Sequence, residues 1–271
     1  MNSDRDLAVA HEISMLIPVF EQVANSIPTP AFVYEEEFIR RQCEHIRQIA
    51  DKAGCKLLYS LKALTLPWVL ELIEPHVQGF SASSLYESII ARDTLKMDGT
   101  VHLTTPGLRP DEVRKISEYC DFLSFNSISQ WLRHKDDLTP NLEIGLRVNP
   151  EISFLDDSRY DPCRAYSKLG APISSMKEAL VNGSPLLRGL SGLLFHNNCN
   201  SPDFQELLLT VKKLESEIGC VLDNSRWINL GGGYLFDGDS VNLDSFDEAV
   251  WTLKSKHDLE VYIEPGSTFV R

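Results

Sequence analysis

The 271-residue sequence predicts an α/β protein folded as a (β/α)8 TIM-type barrel. Three observations carry that prediction. Eight short apolar runs recur along the chain, each bounded by turn residues. Amphipathic helical patterns separate most of them, the alternation that builds a parallel sheet with its helices outside. Polar and special residues collect just after the runs, which is the end of the strands where barrels build their sites.

Taken in order, residues 7–25 place Val9, Ile13, Leu16, Ile17, Phe20 and Val23 near helical spacing, and Pro18 kinks or splits that helix. Residues 1–27 are therefore expected as an N-terminal helical extension and 28–271 as the barrel domain. Pro28-Thr29-Pro30 is a rigid break, 31–34 reads as a short strand, and 35–53 as an amphipathic helix stopped by Gly54. Strands are predicted at 57–61, 79–81, 101–105, 122–125, 143–148, 192–196, 227–230 and 261–264. Helices are predicted at 67–74, 84–92, 111–119, 128–134, 174–182, 202–218 and 243–257. The connection after 148 is long and aperiodic, and a loop of that length is usually functional or disordered. No helical pattern follows the eighth strand before Arg271, so the barrel is expected to lack its last helix and to leave one flank of the sheet uncovered.

Composition excludes several classes of function. A formal net charge of −13 argues against nucleic acid or an anionic membrane as partner. None of the six cysteines forms a C-x-x-C pair, so neither a zinc site nor a disulfide framework is expected. The seven histidines show no H-x-x-x-H spacing, and no metal is expected. There is no basic segment leading an apolar run at the N-terminus and no apolar stretch of membrane length, so a cytoplasmic protein is expected.

The strand ends carry the chemistry. Lys62 closes the first strand, and a lysine desolvated there has the lowered pKa that Schiff-base formation with an aldehyde needs, unless it snorkels to solvent. Gly231, Gly232 and Gly233 follow the seventh strand as a phosphate cradle or a plain tight turn. Glu264 precedes Pro265-Gly266 and either pairs with a cationic ring nitrogen or binds loop amides. His196 is a core histidine, a ligand, a base, or a flat ring stacked on another ring. Arg147 lies in an otherwise apolar run and needs an anionic partner, for which Glu87 and Glu264 are the candidates. An amine for an aldehyde, a cradle for a phosphate, a flat ring and an acid for a ring nitrogen together match pyridoxal 5′-phosphate.

These features lie in the segments Pro28-Thr29-Pro30-Ala31-Phe32-Val33-Tyr34, Tyr59-Ser60-Leu61-Lys62-Ala63, Gly145-Leu146-Arg147-Val148-Asn149-Pro150, Asp161-Pro162-Cys163-Arg164, Phe195-His196-Asn197, Asn229-Leu230-Gly231-Gly232-Gly233 and Glu264-Pro265-Gly266. In them the chain resembles the alanine-racemase-like, fold-type III pyridoxal-phosphate decarboxylases, and within that family the carboxynorspermidine/carboxyspermidine group. The resemblance implies a barrel of the alanine racemase N-terminal domain type and decarboxylation of a carboxylated polyamine in norspermidine or spermidine biosynthesis. It implies that Lys62 holds the cofactor covalently and that His196 stacks on its ring. Gly231, Gly232, Gly233 and Gly266 would bind its phosphate, Glu264 would pair with the ring nitrogen, and Arg147 would support the acid. It also implies a cationic, polyamine-like amino acid as substrate, with Asn197 expected beside it, and a homodimer; charge alone adds the acidic Asp156 and Asp157 as candidates for the distal ammonium groups. Members of the family carry a C-terminal β-domain that this sequence stops short of, and Ser267 matches neither the glutamate nor the arginine usual after Glu-Pro-Gly. Two other readings stay open: a decarboxylase or racemase of diaminopimelate or ornithine type, and a non-catalytic pyridoxal-phosphate-binding or regulatory protein.

Overall fold

The computed structural model describes residues 26–270, apart from 29, 97, 156, 183–186, 188 and 237–242. The predicted helix at 7–25 and Asp156 lie outside the described residues. Within them every strand of the sheet is parallel. The strands are β1 (Lys56–Ser60), β2 (Gly79–Ala82), β3 (Thr100–Thr104), β4 (Phe122–Phe125), β5 (Glu143–Asn149), β6 (Ala171–Pro172), β7 (Gly192–Phe195), β8 (Trp227–Asn229) and β9 (Glu260–Ile263). Their order is β4-β3-β2-β1-β9-β8-β7-β5, and β4 pairs with β5 to close the ring. That is the expected eight-stranded barrel, with the two-residue β6 added beside β5 through Val148 and Ala171.

The helices that wrap the barrel are α1 (Glu36–Ala53), α2 (Pro67–Ile73), α3 (Leu85–Thr94), α4 (Val113–Tyr119), α5 (Ile128–His134), α6 (Ile173–Val181), α7 (Gln205–Leu222) and α8 (Leu243–His257). A single helical turn, α9 (Ser267–Val270), follows the last strand. The first of them is fixed at both ends by its own sequence. Glu35 caps the amides of Glu37 and Phe38 at 3.0 and 2.7 Å, and Gly54 at φ +77° returns its N–H to Ala50 and Asp51. Its apolar stripe of Ile39, Cys43, Ile46 and Ile49 is buried.

Two expectations are corrected here. The flank beside the last strand is covered: α1 packs against α2, α8 and α9 and occupies the place of a final helix. A closed ring allows this, because the helix that precedes the first strand lies next to the last one. The segment 31–34 forms no strand, and Phe32, Val33 and Tyr34 are exposed. The ring is closed, so its edges are already paired and none is left for that segment to join.

The period-two register of each strand divides the barrel interior into storeys. Leu58, His102, Phe122, Trp227 and Tyr262 form the lower one. Here the His102 ring stacks on Phe122 at 4.0 Å between centroids, and Trp227 and Tyr262 meet Phe122 edge-on. Gly145 and Gly192 leave room for the indole: a Cβ on either would lie 2.4 or 2.1 Å from Trp227. Two residues further along their strands, Ser60, Thr104, Arg147, Leu194 and Glu264 line the cavity at the C-terminal mouth.

The floor makes stability sensitive to acid. Burial, with a smaller contribution from Lys56, pushes the His102 pKa from 6.5 down to about 3, and Thr100 Oγ1 lies 3.1 Å from its Nε2. Its contribution to stability is complete above 6.5 and declines as pH falls towards 3, because the unfolded chain takes up a proton that the folded barrel refuses. Lowering the pH to about 5 is expected to remove about 2 kcal/mol through this group alone. Denaturant midpoints should therefore fall between neutral pH and about pH 5 in the wild type and flatten in His102→Gln. A slope unchanged in the variant would assign the acid sensitivity to other groups.

Candidate active site

At the end of β1 the chain turns into a 3-10 segment, Leu61–Ala63. Thr65 Oγ1 donates to the Leu61 carbonyl at 2.6 Å, and Tyr59 donates to the Leu64 carbonyl at 3.1 Å, which fixes the turn. The turn lifts Lys62 off the buried strand to the rim, where the residue is exposed while its side chain lines the cavity. The desolvated setting expected for this lysine is therefore not what the fold provides. The Ser60 N–H donates to the Pro265 carbonyl at 3.1 Å, and a Cβ on Gly266 would lie 2.9 Å from Ala63. The lysine turn and the Glu264-Pro265-Gly266 exit are thus packed backbone to backbone.

Glu264 is buried, and its Oε2 accepts from Ser81 Oγ at 2.7 Å and from Asn229 Nδ2 at 2.9 Å. Oε1 has no partner among the described residues and is left to the cavity that Glu264 lines. The other end of the Asn229 amide, Oδ1, accepts the Gly231 N–H at 2.8 Å. Sequence reasoning placed Ser81 at a strand end and Asn229 in the glycine motif but gave neither a role at the site. The available signal was a polar side chain at the last inward-facing position of an apolar strand.

The glycine turn is shaped by close backbone approaches. Gly231 and Gly233 have φ of +73° and +87°. Added Cβ atoms at Gly231, Gly232 and Gly233 would lie 2.3, 2.5 and 2.2 Å from the carbonyl oxygens of Phe195, Glu264 and Asn198. The amides are less free than the cradle expectation requires. Gly231 N–H goes to Asn229, and Gly232 N–H goes to His196 Nδ1 at 3.1 Å; only the Gly233 N–H donates to no partner among the described residues.

Because His196 Nδ1 accepts that bond, a neutral ring carries its proton on Nε2. Burial, followed by the charges of Lys62 and Arg147, holds its pKa well below the usual histidine value. A neutral ring anchored at one nitrogen is suited to stacking and unsuited to being a cationic acid. Arg147 is half-buried, and burial lowers its pKa against the opposing pull of Glu264. Neither expected partner pairs with it. Glu87 Oε2 accepts instead from the Ser83 N–H and hydroxyl at 2.6 and 2.8 Å, Glu264 Oε2 is taken by Ser81 and Asn229, and Arg147 forms no ion pair among the described residues. The cavity therefore presents two cations, Lys62 and Arg147, to one carboxylate, so it favours an anionic ligand although the chain as a whole is acidic.

The residues expected at the substrate are not gathered there. Asn197 is fully buried; its Nδ2 donates to Thr210 at 2.6 Å and its Oδ1 accepts from Tyr234 at 3.3 Å, which uses both ends of the amide. Asp157 pairs with Arg159 at 2.6 Å on an exposed loop and is not among the cavity's lining residues. Further along that loop the chain is packed. Asp161 accepts the Cys163 N–H at 2.7 Å, and Asn126 clasps Lys168 and Gly170 at 2.7 and 3.0 Å.

No protein-family model matches the chain. It is 30% identical over 245 residues to a carboxynorspermidine/carboxyspermidine decarboxylase of Herminiimonas arsenicoxydans, across 90% of this chain and 65% of that protein. It is 32% identical over 249 residues to a carboxyaminopropylagmatine decarboxylase of Synechocystis sp., across 90% of this chain and 61% of that protein. The structure of carboxynorspermidine decarboxylase from Campylobacter jejuni, complexed with norspermidine, superposes with a TM-score of 0.78 at 26% identity, over 90% of this chain and 61% of that one. The chain thus spans less than two thirds of the length of these relatives. Among the described residues no helix is long and apolar enough to cross a membrane.

Proposed function

We propose that this chain is a member of the alanine-racemase-like, fold-type III decarboxylases, and that the cavity at the barrel mouth binds pyridoxal 5′-phosphate and removes CO2 from a polyamine-like α-amino acid; its similarity to two such decarboxylases at 30% and 32% identity supports the reading. The observation that carries this reading is the convergence of Lys62, His196, Arg147 and Glu264 on one cavity from four different strand ends. The residues present fit the group. Lys62 offers an amine at the rim for its aldehyde, and the neutral His196 ring offers a flat face. Glu264 keeps one oxygen for an N–H donor; Gly231, Gly232 and Gly233 are not among the residues that line the cavity, and the Gly233 amide, without a partner among the described residues, is the one we propose for an anion beyond its rim.

Bound there, pyridoxal phosphate supplies an electron sink for the pair left when CO2 departs. The chain's own residues bind and orient. Glu264 Oε1 holds a proton on a ring nitrogen, which its fixed position favours over water. Arg147, without an ion-pair partner, offers its guanidinium to an anionic group of cofactor or substrate. The substrates named for the relatives share an α-amino acid end and differ at the distal cation, an amine in one case and a guanidine in the other. We therefore propose a carboxylated polyamine as the substrate class, with the distal cation as the variable part.

A panel of carboxynorspermidine, carboxyspermidine, carboxyaminopropylagmatine and diaminopimelate, followed by CO2 release, tests the reading. Turnover of one of the first three at least tenfold above diaminopimelate, about 1.4 kcal/mol in transition-state stabilisation, is the expected result. Turnover confined to diaminopimelate would replace the substrate class and leave the cofactor reading in place.

A further inference from the structure

We infer that Asn229, assisted by Ser81, is the positioning residue that aims the free oxygen of Glu264 at the ring nitrogen of the cofactor and locks the glycine turn to the same carboxylate. The inference rests on the reading just given and adds to it the residue that sets the geometry of the acid. Both side-chain donors to Glu264 land on Oε2, which leaves Oε1 as the ligand-facing oxygen. Asn229 is fully buried, so each end of its amide needs a partner, and both are found within the site. Its Nδ2 reaches Glu264 at 2.9 Å and its Oδ1 takes the Gly231 N–H at 2.8 Å. A backbone bond runs alongside, from the Glu264 N–H to the Gly231 carbonyl at 3.0 Å. The acid and the turn are therefore one unit, fastened through one side chain.

Only an amide meets both demands at this length, a donor towards the carboxylate and an acceptor towards the turn. Aspartate would keep the acceptor for Gly231 but set a second carboxylate against Glu264, and the two would share a proton. Alanine would release both. Ser81 approaches from β2, two strands from β9 on the flank opposite β8, and restrains the same oxygen from the other side.

The test compares the affinity of the full chain for two ligands, pyridoxal 5′-phosphate and its carbocyclic analogue, in which C–H replaces the ring nitrogen. A residue acting through Glu264 on that nitrogen affects only the first ligand. Asn229→Asp and Asn229→Ala are expected to weaken pyridoxal phosphate roughly 10–100-fold, the usual worth of a hydrogen bond to a charged group, and to leave the analogue almost unchanged. Ser81→Ala should act in the same direction with a smaller loss. Asn229→Asp guards against misfolding, because it retains the bond to Gly231. Equal losses for both ligands would overturn the positioning role and leave the proposed function standing. A wild-type chain that does not distinguish the two ligands overturns the ring-nitrogen assignment and the inference with it, and one that takes up neither ligand overturns the proposed function as well.

Discussion

Replacing Lys62 with alanine is expected to abolish the pyridoxyl adduct that borohydride traps on the wild-type chain. Of the residues lining the cavity, Lys62 is the only lysine, so no second amine stands in for it. The nearest strand lysine, Lys56, belongs to the opposite end of β1 and is paired with Glu260. Lys62→Arg keeps the positive charge but supplies no nucleophilic amine at any ordinary pH, because guanidinium stays protonated. Both variants should lose the long-wavelength absorption of the lysine-bound aldehyde, and any decarboxylation should fall on the order of 10^4–10^6-fold, as when an enzyme loses its covalent nucleophile. Tryptic mass spectrometry of the reduced protein locates the adduct. A pyridoxyl group still present in Lys62→Ala, carried on another lysine, would remove Lys62 from its role. Because Lys62 sits exposed on a turn, neither substitution should disturb the fold, and the melting temperatures of the apo variants should match the wild type within about 1 °C.

The barrel was legible because its evidence is local. Apolar runs of three to six residues recur eight times with helical patterns between most of them, polar or special residues close several of the runs, and the structure places the eight strands within about two residues of them. What was not legible depends on partners far apart in the chain. Ser81 and Glu264 meet across 183 residues, and Asn229 reaches Glu264 across 35. No periodicity reports which acceptor a buried amide will find. The same limit explains Arg147: its residue type announced a need for an anion, but Glu87 is claimed by Ser83 and Glu264 by Ser81 and Asn229. The reach of Lys62 was misjudged for a different reason. A single 3-10 turn after Ser60 separates a buried strand end from an exposed rim, and boundaries of that size lie below what apolar patterning resolves. Asn197 shows the converse case, a polar residue beside the site whose amide is taken up by Thr210 on α7 and by Tyr234.

The floor beneath the site yields the largest expected effect on stability. Gly192→Ala would set a methyl group 2.1 Å from Cδ2 of Trp227 and 2.2 Å from Cε2, both on a rigid ring. The indole has little room to retreat, since Phe122 and Tyr262 hold it edge-on and His102 lies against the same rings; on the side of Gly145 the gap is narrow enough that an added Cβ there would lie 2.4 Å from Cη2. Overpacking of this severity is expected to cost about 3 kcal/mol. In a chain of this size that corresponds to a fall in melting temperature of roughly 5–10 °C. Trp227→Ala removes the ring instead and is expected to cost about 3–5 kcal/mol through the cavity it leaves. The combination distinguishes a steric conflict from a general weakness of β7. A smaller side chain at Trp227 should accept the new methyl group, so the double variant Gly192→Ala/Trp227→Leu should be more stable than the sum of the single losses by at least about 1 kcal/mol. Strict additivity in denaturant midpoints would show that the two residues do not share one space. The floor also bears on the chemistry above it, because Asn229 stands two residues beyond Trp227 on the same strand. A displaced indole shifts β8, and with β8 the amide that holds Glu264. Gly192→Ala, in whatever fraction remains folded, should therefore bind pyridoxal phosphate more weakly than the wild type, whereas a substitution of equal cost on the outer helices should not.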